Sequence, residues 1–335
     1  MQSITKKLLA VCLMTVACTA AQAQPYEKQK VRIAHFLPST FAGADVEQWF
    51  ADELESRSGG AITAEIYWAG AMGSSDELLR LVQSGVVEIA AFPFAYYSKQ
   101  LPLTHIGSVP NIFSAPEQAY EGFLAAVALP EVQEEHKKNG IHMLTSHFSN
   151  PYRLICNRTT ATLNDMKGYK ARSTGEYIAK VYEAFGIVPV NSPANEVYEA
   201  LDRKVLDCTY LSYDQMVASR IYEVAKFTSD INLGAYATWQ MWGNRKWLDS
   251  MSEENRKLIL EVAAEANALD VKKAQEAAST AIAQLEAHGV AVQKLTPEGD
   301  YEAKAPDALA IWRESVKQLG HEAAAEKIAA IIEQQ

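Results

Sequence analysis

Val31 to Leu37 is an apolar run with strand-like alternation, and from Asp45 to Arg57 the apolar positions recur at helical spacing until Gly59-Gly60 stops them. A strand pattern returns over Ile62 to Trp68. The cycle then repeats: Asp76 to Gln83 has helical spacing with Gly85 just beyond it, and Val87 to Phe92 is a short apolar strand. Strand and helix alternating at this pace predict mostly parallel sheets with helices on both faces. Sheets of that kind bind ligands beyond the carboxyl ends of their strands, so the loops that follow strands matter most.

A second set of elements begins near Pro151. Tyr152 to Asn157 predicts a strand, Tyr169 to Ser173 a short one, Glu176 to Phe185 a helix stopped by Gly186, and Ile187 to Val190 another strand. Ser192-Pro193 offers a side-chain oxygen at an N-cap and proline at the first helical position, opening a helix from Ala194 to Arg203, after which Leu206 to Leu211 returns as a strand. Near Ser252 a helical pattern starts that runs to about His288, where Gly289 ends it. A helix of about 35 residues is a rod of roughly 50 Å, longer than one lobe. The expected fold is α/β, two lobes with a ligand cleft between them and the long helix lying along both. No repeat or Pro/Gly/Ser linker separates the lobes, so crossing strands join them. Residues 24–150 with about 236–265 are expected to form the first lobe, and 151–235 with about 266–335 the second.

Composition changes this picture only at the edges. A chain of 335 residues that is 48% hydrophobic and 21% charged has material for two cores. Its 31 Lys and Arg against 41 Asp and Glu give a net charge of -10, the wrong sign for a nucleic-acid surface, and no basic stripe offsets it. Lys6 and Lys7 precede the apolar run Leu8 to Ala17, and Ala21-Gln22-Ala23 supplies a small-x-small cleavage pattern. Residues 1–23 therefore read as a cleaved secretory signal, which makes the mature protein periplasmic; their apolar core is shorter than the roughly 20 residues needed to span a bilayer. Cys18, after Thr15-Val16-Ala17, leaves a lipid-anchored form as the alternative. Of four cysteines only Cys156 and Cys208 outlast the cleavage. An oxidising compartment allows one disulfide between them, while their apolar surroundings equally suit two free thiols packed as small hydrophobes.

Catalytic and cofactor motifs are absent. Gly70-Ala71-Met72-Gly73 lacks both the lysine of a P-loop and the spacing of a dinucleotide fingerprint. His142 and His147 lie five residues apart on a strand pattern, which points them to opposite faces and makes poor metal geometry. Glu134-Glu135-His136-Lys137-Lys138 reads as a solvated helix face. Asp202 with Asp207, or Glu196 with Glu199, are weak candidates for acid and base work. No catalytic residue, metal ligand or cofactor is assigned.

The segment Leu163-Asn164-Asp165-Met166-Lys167-Gly168-Tyr169-Lys170-Ala171-Arg172 resembles a block found in the solute-binding proteins of tripartite ATP-independent periplasmic (TRAP) transporters, the dicarboxylate-binding DctP type. Gly186-Ile187-Val188-Pro189-Val190, then Glu196-Val197-Tyr198-Glu199-Ala200-Leu201 and Val205-Leu206-Asp207, resemble a second stretch of that family. Ser58-Gly59-Gly60 through Leu78 to Gly85 and Glu88 resembles a third. The likeness runs from about Val31 to Leu285 and implies a periplasmic-binding-protein-like fold. The chain departs from the pattern at Lys204, at Cys208, and at Leu211, where several members carry a ligand-contacting asparagine.

The resemblance implies that Arg172 grips the carboxylate of a small organic anion, and the chemistry agrees: a guanidinium offers parallel donors that match two carboxylate oxygens. Arg153 is a second candidate, although a one-residue slip would put Tyr152 in its place. Strand ends supply aromatic candidates: Phe36, Phe92 with Phe94 and Tyr96, Tyr210 and Tyr213, and Tyr236, Trp239 and Trp242 on the return to the first lobe. If several line the cleft, the ligand has one carboxylate and a flat or apolar remainder, possible classes being aromatic, keto or hydroxy acids and four-carbon dicarboxylates. The expected partners are the two integral membrane subunits of a permease driven by an ion gradient, the receptor itself being a monomer. An exported hydrolase or lyase, and a ligand sensor serving a membrane kinase, are the rival readings.

Overall fold

Two sheets carry the chain in this computed structural model, which describes residues 25–335. The expected signal segment, residues 1–23 with Cys18, lies outside the described residues. In chain order the strands are β1 (Gln29–His35), β2 (Ile62–Tyr67), β3 (Ile89–Phe92), β4 (Ile141–Phe148), β5 (Arg153–Cys156), β6 (Lys170–Ser173), β7 (Val188–Asn191), β8 (Cys208–Leu211), β9 (Phe227–Ser229), β10 (Ala237–Asn244) and β11 (Ala291–Gln293). The first sheet has the order β2-β1-β3-β10-β4 and the second β11-β9-β5-β8-β6-β7.

One strand in each sheet runs against its neighbours: β10 in the first, β5 in the second. The path explains both reversals. β4 leaves the first lobe at its carboxyl end and continues through residues 149–152 into β5, which therefore enters the second sheet from the cleft side. β9 returns through residues 230–236 into β10 in the same way. The two crossings run side by side as an antiparallel ribbon, with Ser149 N–H donating to Tyr236 O (2.9 Å), Tyr152 N–H to Gly234 O (2.8 Å) and Leu233 N–H to Tyr152 O (3.0 Å).

The long helix is Glu253–Ala287, capped by the Ser252 side chain, which accepts from Asn255 N–H, and followed by Gly289 at φ +77°. Leu258, Ile259 and Val262 lie in the first lobe's core and Leu285 in the second lobe's, so the rod does lie along both. Among the described residues no helix is long and apolar enough to cross a membrane.

Three expectations need correction. The C-terminal helices Ala308–Gln318 and Glu322–Ile332 belong to the first lobe: Trp312 and Ile328 are fully buried in its core, and Trp312 Nε1 donates to Pro102 O at 3.2 Å. A short amphipathic helix shows that it has an apolar face, and carries no mark of which core that face covers. Ser192 does not cap a helix through its side chain; its N–H stays at the end of the sheet ladder facing Ser173 O, and the next turn, Ala194–Glu196, is a 3-10 helix that leads into Val197–Asp202. The charge run at Glu134 is only half solvated. In the helix Pro130–Lys138, Glu135 and His136 turn inward, Glu135 accepting from Leu103 N–H (2.7 Å) and Thr104 N–H (3.1 Å).

Candidate functional site

The TRAP-like block is a device for delivering Arg172 to a strand end. Asp165 accepts from the N–H and hydroxyl of Thr162 (2.9 and 2.7 Å), closing a local turn, and Gly168 at φ +76° reverses the chain into β6. Asp207, just before β8, clamps the strand: its carboxylate accepts from Lys170 N–H (2.9 Å) while its own N–H donates to Lys170 O (2.7 Å). Arg172 sits two residues on, facing the cleft.

A cavity of about 80 Å³ opens there between the lobes. That is several times the roughly 10–15 Å³ that holds a single water, space on the scale of a small molecule. Arg172, Tyr152, Thr174, Tyr210 and Leu211 line it from the second lobe, and Phe36, Phe41, Tyr96, Thr238 and Trp239 from the first, with Tyr236 on the crossing ribbon. Among the described residues that line it, Arg172 alone is charged.

Arg172 is 5% exposed. Its Nε donates to Ser192 O at 3.0 Å, its guanidinium carbon lies 5.5 Å from the centre of the Tyr210 ring, and among the described residues neither terminal nitrogen has a protein acceptor and no carboxylate pairs with it. Burial works against its charge, but the phenols of Tyr210, Tyr96, Tyr152 and Tyr182 prevail and hold its pKa above the ordinary value. It is a desolvated, permanent cation. Tyr152, Tyr210 and Tyr236 form a cluster beside it with ring centres 4.8 to 6.4 Å apart. Burial raises the pKa of each, so they remain neutral phenols at physiological pH.

The first-lobe wall is built on Trp239. Phe36 and Phe41 meet it edge-on at 6.2 and 5.7 Å, and the His147 ring stacks on it at 4.0 Å. Its Nε1 donates to Glu47 Oε1 (2.9 Å), and Glu47 Oε2 lies 2.5 Å from His35 Nε2. His147 Nδ1 in turn meets Asp270 Oδ1 of the long helix at 2.6 Å. Tyr96 bridges the lobes, its hydroxyl accepting from Ala194 N–H at 3.3 Å.

Of the expected site residues, the cavity thus gathers Arg172, Phe36, Tyr96, Tyr210 and Trp239. It leaves out Arg153, Phe92 and Tyr213. Strand parity decides the first: Leu154 pairs with Tyr210 and Cys156 with Cys208, so Tyr152 shares their face and Arg153 points the other way. There Arg153 donates to Asn232 Oδ1 (3.0 Å) and lies over the Tyr213 ring at 5.7 Å, which accounts for Tyr213 as well. Phe92 is the last residue of β3 rather than part of the loop after it, and stacks on Trp242 in the core at 5.7 Å. Phe94 is likewise core. Phe41, Thr174 and Thr238 were missed, Phe41 because it lies in an irregular turn without periodicity.

A second contact between the lobes lies beside the cavity, where His105 meets Gly175 and Tyr177. Gly175 has φ +74°, and a Cβ there would come within 3.1 Å of the His105 ring. The rings of His105 and Tyr177 are 4.9 Å apart. Burial pushes the His105 pKa down to about 4, against a smaller upward pull from Glu176. A histidine buried neutral contributes stability that is fully present above its ordinary pKa of 6.5 and is lost as pH falls toward about 4. Chemical denaturation between pH 7 and pH 4 should therefore show a loss of up to about 3 kcal/mol from this group. His105→Gln should flatten that part of the profile, leaving the like contributions of His136 and His142 and the opposing ones of Glu135, His147 and Asp270; an unchanged profile would exclude the assignment.

Comparison with known proteins gives the arrangement a context. Residues 33–319 match the family model described as bacterial extracellular solute-binding protein, family 7. A solute-binding protein from Albidiferax ferrireducens is 24% identical over 267 residues, covering 76% of this chain and 78% of that one. An extracytoplasmic solute receptor from Bordetella pertussis that binds pyroglutamic acid superposes with a TM-score of 0.80 at 21% identity, over 91% of this chain and 99% of that one. A marine metagenome TRAP solute-binding protein specific for aromatic acid ligands does so with a TM-score of 0.82 at 21% identity, over 92% and 99%. The structural likenesses at this identity speak for the fold, and the family match over most of the length goes further: this chain belongs to the family 7 extracellular solute-binding proteins, the DctP family of TRAP transporter receptors.

Proposed function

We propose that the protein captures a small organic acid in the cavity between its lobes, with Arg172 as the carboxylate anchor, and delivers it unaltered to the membrane subunits of a TRAP permease. One observation carries this reading: a buried arginine whose terminal nitrogens have no acceptor among the described residues, at the edge of a cavity with room for a small molecule. An unpaired cation in that position is costly unless an anion visits it. Small acids are the ligands of the pyroglutamate and aromatic-acid receptors that share the fold. The aromatic wall of Phe36, Phe41 and Trp239 suits a flat or apolar body. Closure would pivot on the crossing ribbon, residues 149–152 with 230–236, and a ligand touching both lobes stabilises the closed form by its extra contacts there. The leader at residues 1–23 would carry the protein to the periplasm, where it acts as a monomer.

The test is a melting-temperature screen over organic acids that includes pyroglutamate and 3-hydroxyphenylacetate. A ligand at 100 times its dissociation constant should stabilise the native state by about 2.7 kcal/mol. The bound compound should be recovered chemically unchanged after denaturation. Conversion to a product would replace this reading with an enzymatic one.

A further inference from the structure

The two walls of the cavity differ in what they can offer a ligand. On the second lobe, Arg172 keeps its terminal nitrogens without an acceptor among the described residues. On the first, the donors are already engaged by the protein. Trp239 Nε1 donates to Glu47 Oε1 (2.9 Å), the Thr238 hydroxyl donates to His147 O (3.2 Å), and the Ser108 hydroxyl to His105 O (3.2 Å). The Tyr96 hydroxyl, which accepts from Ala194 N–H, is left with its own proton to give.

Behind the indole lies an acid, not a base. His35 Nδ1 lies 2.9 Å from Leu37 N and 3.1 Å from Leu37 O; the amide can only donate, and Leu37 O already accepts from Ala69 N–H at 2.8 Å, so Nδ1 is the accepting nitrogen. The ring's proton then sits on Nε2, facing Glu47 Oε2 at 2.5 Å. The charge that stands directly behind Trp239 is that of the Glu47 carboxylate, whose Oε1 accepts from the indole. Glu47 is 5% exposed, so solvent screens that charge little.

We infer that this wall makes the receptor select against a second negative charge: its ligand is a small monocarboxylate whose far end is uncharged, and Glu47, acting through Trp239, is a specificity-determining positioning residue. The inference rests on the Arg172 reading above. A dicarboxylate bound by Arg172 would bury its second charge against a first-lobe wall of aromatic edges where only the Tyr96 hydroxyl is free to donate, with Glu47 behind the indole and no second cation among the described lining residues. Desolvating a carboxylate without a partner is strongly unfavourable. An amide or other neutral group there meets no such penalty.

The experiment compares succinate with succinamate, and glutarate with glutaramate. Within each pair, size and shape are matched and one carboxylate becomes an amide. Calorimetry at pH 7.5 should give at least tenfold tighter binding of the monoanion in each pair. Glu47→Gln, which keeps an acceptor for the indole and removes the charge, should narrow that gap several-fold, a ratio that loss of packing alone would not move. Equal or tighter binding of the dianions by the wild-type protein would overturn the inference. So would failure of succinamate, glutaramate, pyroglutamate and benzoate all to bind at 10 mM. Arg172→Ala separates the two ideas: if it abolishes binding of a preferred dianion, the Arg172 reading survives and the monoanion inference falls, whereas unchanged affinity in that variant removes the underlying reading itself.

Discussion

An Arg172→Ala protein is expected to bind its organic acid ten- to more than a hundredfold more weakly than wild type, and Arg172→Lys at least tenfold more weakly. The corresponding loss is on the order of 1.5 to 3 kcal/mol for a charge-assisted hydrogen-bonded pair. The lysine result is the sharper one, because charge is retained. Arg172 holds itself in place through Nε, which donates to Ser192 O, and this leaves two coplanar nitrogens for the two oxygens of a carboxylate. A lysine ammonium can hold Ser192 O or meet the ligand, but it cannot present two parallel donors while anchored. In the alanine variant the ligand's carboxylate would enter a site with no cation among its described lining residues. Calorimetry against the tightest ligand of the screen measures the loss, and the ligand-free melting temperature separates a lost contact from a lost fold. Unchanged affinity in both variants would move the site elsewhere.

Arg172 was legible through the resemblance, which picks it out as the last residue of the block 163–172; the structure adds how the chain brings it to a strand end, through the Asp165 turn, Gly168 and the more distant Asp207 clamp on Lys170. The same reasoning failed at Arg153 and Tyr152, where both residues suit a strand and only the pairing of Leu154 with Tyr210 decides which side chain faces the tyrosine cluster. Phe92 failed for a related reason. An aromatic residue at the end of an apolar run can finish the strand or start the loop, and its stacking on Trp242 joins positions 150 residues apart. The support of Trp239 was not legible at all. Glu47 comes from a helix of the first lobe and Asp270 from the long helix, and neither spacing nor local pattern marks them as neighbours of one indole. The two-lobe architecture and the bounds of the long helix, by contrast, follow from periodicity and caps that are local.

Removing the bond between Cys156 and Cys208 is expected to lower stability by about 2 to 4 kcal/mol. Sequence left open whether these cysteines bridge; in the structure they do, as register partners on β5 and β8. The bridge spans a sequence separation of 52, and closing a loop of that length removes about 4 kcal/mol of chain entropy from the unfolded state, an upper figure because denatured chains retain structure. What the loop contains matters more than its length. It holds the Asp165 turn, β6 with Arg172, and Ser192, so the bridge ties the arginine's strand and the Tyr210 strand to the one that crosses from the first lobe. Both cysteines are essentially buried, so mild reductant should act slowly on the folded protein and quickly on the unfolded one. A Cys156→Ala, Cys208→Ala double variant avoids leaving a lone thiol. Its urea midpoint should fall, while the affinity of folded protein for its ligand should change less than twofold, since neither sulfur touches the cavity. Equal midpoints for the two proteins would mean the bond adds nothing to the folded state. A large loss of affinity at unchanged stability would mean instead that the bridge orders Arg172 directly.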